Sequence, residues 1–117
     1  MNWNNIFLDM NWCLKALEEV NKKIAASFNQ SPKAVHFTFV DYIDRKAKKT
    51  NTYIYFTAGQ TNLLDNEIKL VTRRGWQETA VHELIHIYNP EMSEKQVEKI
   101  TEGVVKYLLS FKGVLNP

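Results

Sequence analysis

The chain has 117 residues, 44% of them hydrophobic and 24% charged, which suffices for one core and rules out two large lobes around a cleft. A net charge of +2 points to no strongly charged partner, and the lone Cys13 excludes an intramolecular disulfide, so the fold does not depend on an oxidising compartment. The start, Met1-Asn2-Trp3-Asn4-Asn5, has no basic region followed by an apolar run, and no apolar stretch approaches membrane-spanning length, so the expectation is a single domain over residues 1–117 in the cytoplasm.

The first segment has the rhythm of an amphipathic helix from about Trp3 to Phe28. Ile6, Met10, Leu14, Leu17, Val20, Ile24 and Phe28 recur at spacings of three or four, with Lys15, Glu18, Glu19, Lys22 and Lys23 outside the stripe. Cys13 neighbours the stripe and reads as a small core residue rather than a nucleophile. Ser31-Pro32 ends the region.

Alternation follows. Val35, Phe37 and Phe39 interleave with His36, Thr38 and Val40, as in a strand with one buried face. The polar stretch Arg45 to Asn51 leads to a second strand, Thr52 to Thr57, with Ile54 and Phe56 on one face and Tyr53 and Tyr55 on the other. Two strands joined by a short polar loop predict an antiparallel pair. Ala58 to Asn62 opens a longer loop, and Glu67 to Thr72 can form a third, shorter strand. Arg73-Arg74-Gly75 turns the chain into the next helix.

That helix carries His82-Glu83-Leu84-Ile85-His86, an HExxH pattern. At about 100° per residue, His86 lies roughly 40° around from His82 and Glu83 roughly 100°, so all three share one half of the helix surface. Both imidazoles can then bind one zinc ion, and Glu83 can act as general base on the water that the ion activates. Pro90 stops the helix. Catalytic zinc commonly takes three protein ligands, and no third histidine follows: the extended motif would need glycine at 89 and histidine at 92, where the chain has Asn89 and Met92. His36, on the first strand, reads as structural or solvent-facing.

The last helix begins at a capping box, Ser93 with Gln96, and Glu94 lies in its first turn, where the helix dipole favours negative charge. Val97, Ile100, Val104, Leu108 and Phe111 mark its buried stripe. Glu94, Glu98 and Glu102 all offer a carboxylate as third ligand. Glu94 lies nearest the midline of the apolar face and beside the loop that leaves the HExxH helix. Glu98, one turn on, is the alternative ligand or a hydrogen-bond acceptor for a ligating histidine, and Glu102 is further round. The predicted class is α+β: an N-terminal helix, a small antiparallel sheet of two to three strands, the HExxH helix and a C-terminal helix.

Thr79 to His86 followed by Ser93 to Glu98 resembles the zincin metallopeptidases of the glutamate-ligand type, most of all the small HExxH proteins of phages and other mobile elements. The resemblance covers about the last third of the chain and rests chiefly on the HExxH. It implies a minimal zincin-like fold and a zinc-dependent peptidase, with an edge strand above the metal, such as Glu67 to Thr72, that pairs with an extended peptide or protein substrate by strand addition. It further implies His82, His86 and Glu94 as ligands, Glu83 as base, and Glu98 in the place of the aspartate of an ExxxD spacing. Larger members insert a much longer segment before the third ligand; here Glu94 follows His86 by eight residues.

Two other functions fit the same residues. A zinc-binding interaction module without turnover would keep the helix for stability. The basic groups Arg45-Lys46-Ala47-Lys48-Lys49 and Arg73-Arg74 would suit a protease of the SprT type that acts on DNA-bound proteins. With a near-neutral total charge, the basic run reads first as a solvated hairpin tip, and nucleic acid is not an expected partner.

Overall fold

The computed structural model describes residues 10–40, 43, 53–56, 59–71 and 75–109, with the backbone alone at 10, 53–56 and 109. The elements run α1 (Met10–Ser27), β1 (His36–Val40), β2 (Tyr53–Phe56), β3 (Gly59–Asn62), β4 (Glu67–Val71), α2 (Trp76–Tyr88) and α3 (Glu94–Leu109). The α+β class and the order of helix, sheet, helix, helix agree with the sequence pattern. Trp3, Ile6, Phe111 and both basic groups lie outside the described residues.

Helix α1 buries Cys13, Leu17, Val20 and Ile24, a stripe of three- and four-residue steps. Leu14 departs from expectation: at 40% exposure it sits off the stripe, and Cys13 takes the core position instead. The helix ends at Asn29, whose φ of 55° is left-handed. Gln30 N–H reaches Ala25 O at 2.9 Å and Asn29 N–H reaches Ala26 O at 3.1 Å, a Schellman closure that stops the helix before Ser31-Pro32.

Among the described residues the sheet has four strands in the order β1-β4-β3-β2 and is mixed rather than wholly antiparallel. The expected pairing of β1 with β2 does not form: β1 runs parallel to β4, while β2, β3 and β4 form an antiparallel meander. The cause is β3, Gly59-Gln60-Thr61-Asn62, which has no apolar residue and reads as loop, yet pairs on both sides. Once β3 holds β2 and β4, the open edge of β4 receives β1. That register puts Phe37 beside Ile68 and Phe39 beside Leu70, which extends one apolar face. Glu67 to Val71 is therefore an interior strand with both edges paired, so it cannot take a peptide by strand addition; β1 and β2 are the edge strands.

Helix α2 packs on this sheet through β3 and β4, and against α1 and α3. Enclosed on these sides, it buries Trp76 and every residue from Thr79 to Tyr88, polar ones included. Phe39 meets Trp76 edge-to-face at 5.3 Å, fixing the helix start to β1. At the other end the Tyr88 hydroxyl donates to Asn21 at 2.6 Å and accepts from Lys33 N–H at 2.9 Å, which ties α2 to α1 and to the approach to β1. Among the described residues, no helix is long and apolar enough to cross a membrane.

Candidate metal centre

Asn89 caps α2, its N–H on Ile85 O at 2.9 Å, and Met92 N–H returns to Asn89 O at 3.0 Å in a tight turn that passes Pro90. Ser93 and Gln96 form the reciprocal capping box: Gln96 N–H donates to Ser93 Oγ at 3.2 Å and Ser93 N–H to Gln96 Oε1 at 3.1 Å. The short turn and firm cap start α3 directly over the last turns of α2. Glu94, its first residue, is thereby carried to the two histidines, which is why an eight-residue gap is long enough.

His82, His86 and Glu94 converge. Their candidate ligand atoms all lie within 4.8 Å of one another. His82 Nε2 and His86 Nε2 are 3.3 Å apart, and Glu94 Oε2 is 3.2 Å from His86 Nε2 while Glu94 Oε1 is in contact with His82 Nε2. Zinc holds such ligands at about 2.0–2.1 Å in a tetrahedron, which sets neighbouring donor atoms about 3.3 Å apart. The two histidines are almost wholly buried, and the Glu94 side chain is 35% exposed, so solvent reaches the group on the Glu94 side. Two imidazole nitrogens face each other beside one carboxylate, and each neutral imidazole can turn a lone pair to a shared ion. A shared divalent cation satisfies all three lone pairs at once. The donor set thus fits a zinc ion.

Glu83 lies outside this triplet, fully buried between α2 and β3. Thr61 Oγ1–H donates to its Oε2 at 3.1 Å, and Oε1 has no hydrogen-bond partner among the described residues. Burial pushes its carboxyl well above the ordinary range; the Thr61 hydrogen bond opposes this and the Glu94 charge adds to it. A buried acid missing one acceptor contact is costly to fold around, and such groups concentrate where chemistry is done.

The remaining sequence candidates separate cleanly. Glu98 and Glu102 are exposed and stand apart from the triplet; of the carboxylates on α3, the structure brings Glu94 to the histidines. His36 is exposed on β1. Tyr88 is buried with its hydroxyl committed to Asn21 and Lys33. Thr61 and Gly59, which line Glu83, were hidden in a stretch that reads as loop; the only trace of them in the sequence is a Gly-x-Thr step at strand period. A cavity of about 930 Å³ between α1 and β1 is lined by Leu14, Val35, His36 and Phe37 and by neither His82 nor His86, so cavity size does not mark the chemistry here. Comparison with family models, with curated proteins and with solved structures returns no match, and what this group can do is read from its own atoms.

Proposed function

We propose that this chain is a zinc-dependent peptidase acting in the cytoplasm, with His82, His86 and Glu94 holding the ion and Glu83 as general base. The observation that carries the reading is the convergence of two imidazoles and one carboxylate next to a buried carboxylate, one oxygen of which has no hydrogen-bond partner among the described residues. A structural zinc site is closed by four protein ligands; three converging ligands beside a buried carboxylate suit a site with an open position, which favours turnover over a non-catalytic zinc module.

Bound there, zinc supplies a Lewis acid that polarises a scissile carbonyl and makes a water acidic enough to react near neutral pH. Glu83 takes the water's proton and delivers it to the departing amine. The peptide or protein as substrate follows from the resemblance of the HExxH segment to the glutamate-ligand zincins. An extended chain has a suitable partner in β2, an edge strand whose neighbour β3 carries Thr61 onto Glu83.

Elemental analysis of the purified protein tests the reading. The expected result is about one zinc per chain in the wild type and in Glu98→Ala, with a clear loss in Glu94→Ala. Glu83→Gln is expected to keep its zinc and lose at least about a hundredfold in peptide hydrolysis. A wild type that holds no stoichiometric zinc when metal is supplied overturns the proposal. Zinc without any hydrolysis for Glu83→Gln to abolish leaves the non-catalytic module.

A further inference from the structure

Strand β3 is the anomaly of the sheet. Gly59, Gln60, Thr61 and Asn62 are all buried, yet none is apolar. On the face turned to α2, the neighbouring strand supplies Ile68 and Leu70; opposite them in register β3 has Thr61 and Gly59. An ordinary core strand would put β-branched hydrocarbon at both positions.

Both departures have the same beneficiary. A Cβ at position 59 would sit 2.7 Å from Thr79 Cγ2 and 3.0 Å from Glu83 Cγ, so only glycine lets the helix come this close. Thr61 then reaches Glu83 with the one hydrogen bond that its carboxylate receives among the described residues. Valine at 61 would match the shape and leave Glu83 with none.

We propose that Thr61 is a positioning residue for Glu83, an inference that rests on the peptidase reading above. Its hydroxyl holds Oε2 and so fixes the rotation of the carboxylate, which leaves Oε1 as the oxygen that exchanges protons. In hydrolysis the water oxygen bonds to the peptide carbonyl carbon as Oε1 takes the water's proton. The C–N bond then breaks and that proton goes to the amine nitrogen, restoring the carboxylate. Gly59 keeps the strand close enough for the hydroxyl to reach.

The test compares Thr61→Val and Thr61→Ser in zinc-loaded protein on fluorogenic casein, with Glu83→Gln as the inactive reference. Thr61→Val is expected to lower kcat about 10- to 100-fold, about 1.4–2.7 kcal/mol, with KM and zinc content unchanged. Thr61→Ser, which keeps the donor, is expected to stay within about threefold of wild type. A readout independent of activity comes from urea unfolding of the zinc-free protein. Thr61→Val should lower the midpoint when Glu83 is present and fail to lower it in a Glu83→Met background, where the hydroxyl has lost its acceptor. Thr61→Ala, also without a donor, replaces Thr61→Val in both arms if valine prevents folding. Wild-type kcat in the donor-free variant, or equal urea shifts in both backgrounds, overturns the role of Thr61 and leaves the peptidase reading standing. A wild type without zinc or hydrolysis removes both.

Discussion

Glu83 shows what the site costs at the scale of one residue. Its carboxyl is buried with a single donor, and burial raises its proton affinity in the fold. In the unfolded chain it titrates near the ordinary glutamate value, about 4.3. Below that value the group is protonated in both states and carries no penalty. As pH rises towards the folded value, the unfolded chain releases the proton while the fold retains it, so this residue's contribution to stability declines; above the folded value the loss is constant. In zinc-free protein, Glu83→Gln keeps an oxygen for Thr61 and removes the charge. It is therefore expected to raise stability at pH 7 by about 1–3 kcal/mol, and the gain should vanish by about pH 4. Urea unfolding of both proteins across that range measures it; an equal gain at pH 4 and pH 7 would show that charge burial is not the cause.

At the scale of elements, the contact of β3 with α2 decides whether Glu83 is held at all. Gly59→Ala drives a methyl against Thr79 Cγ2 at 2.7 Å, tighter than packed atoms tolerate, and either the strand or the helix has to shift. The expected cost is about 1–3 kcal/mol, with part of it returned by adding Thr79→Ser, which deletes the methyl that clashes. Thermal unfolding of the two single variants and the double variant reads this; strictly additive losses would place the strain elsewhere. The same contact marks where sequence reading fails. Helices were legible because α1 and α3 keep polar and apolar faces apart, and because Ser93 and Gln96 announce the start of α3. The two histidines and Glu83 were legible through their spacing, and Glu94 through its place just after the cap. Strand β3 was not, since strand propensity measures fit to an apolar pleated surface and Gly-Gln-Thr-Asn has no such fit. Its place comes from pairing on both sides and from the helix beneath it. With β3 unseen, β1 and β2 looked like natural partners, as consecutive strands usually are.

Over the whole molecule, α2 is the element on which everything else converges. Its start is pinned by Phe39 on Trp76 and its end by Tyr88 on Asn21 and Lys33, while α3 joins it beside the histidines. These attachments are independent in kind. Tyr88→Phe removes the hydroxyl that pairs with Asn21 and Lys33 N–H, and is expected to cost about 1–3 kcal/mol with no change in zinc content, because neither partner belongs to the His82–His86–Glu94 group. The proposed zinc acts differently, since its ligands come from both α2 and α3 and it would bind the folded hairpin alone. Free zinc at about a thousandfold over its dissociation constant should then add about 4 kcal/mol. Chelation should lower the Tm of wild type and of Tyr88→Phe by similar amounts. Glu94→Ala should show a much smaller chelator effect, and Glu98→Ala, whose carboxylate stands in solvent, the full one. A chelator shift that survives Glu94→Ala undiminished would mean that α3 takes no part in holding the ion, and that the hairpin is closed by its Ser93–Gln96 cap and apolar stripe without help from the metal.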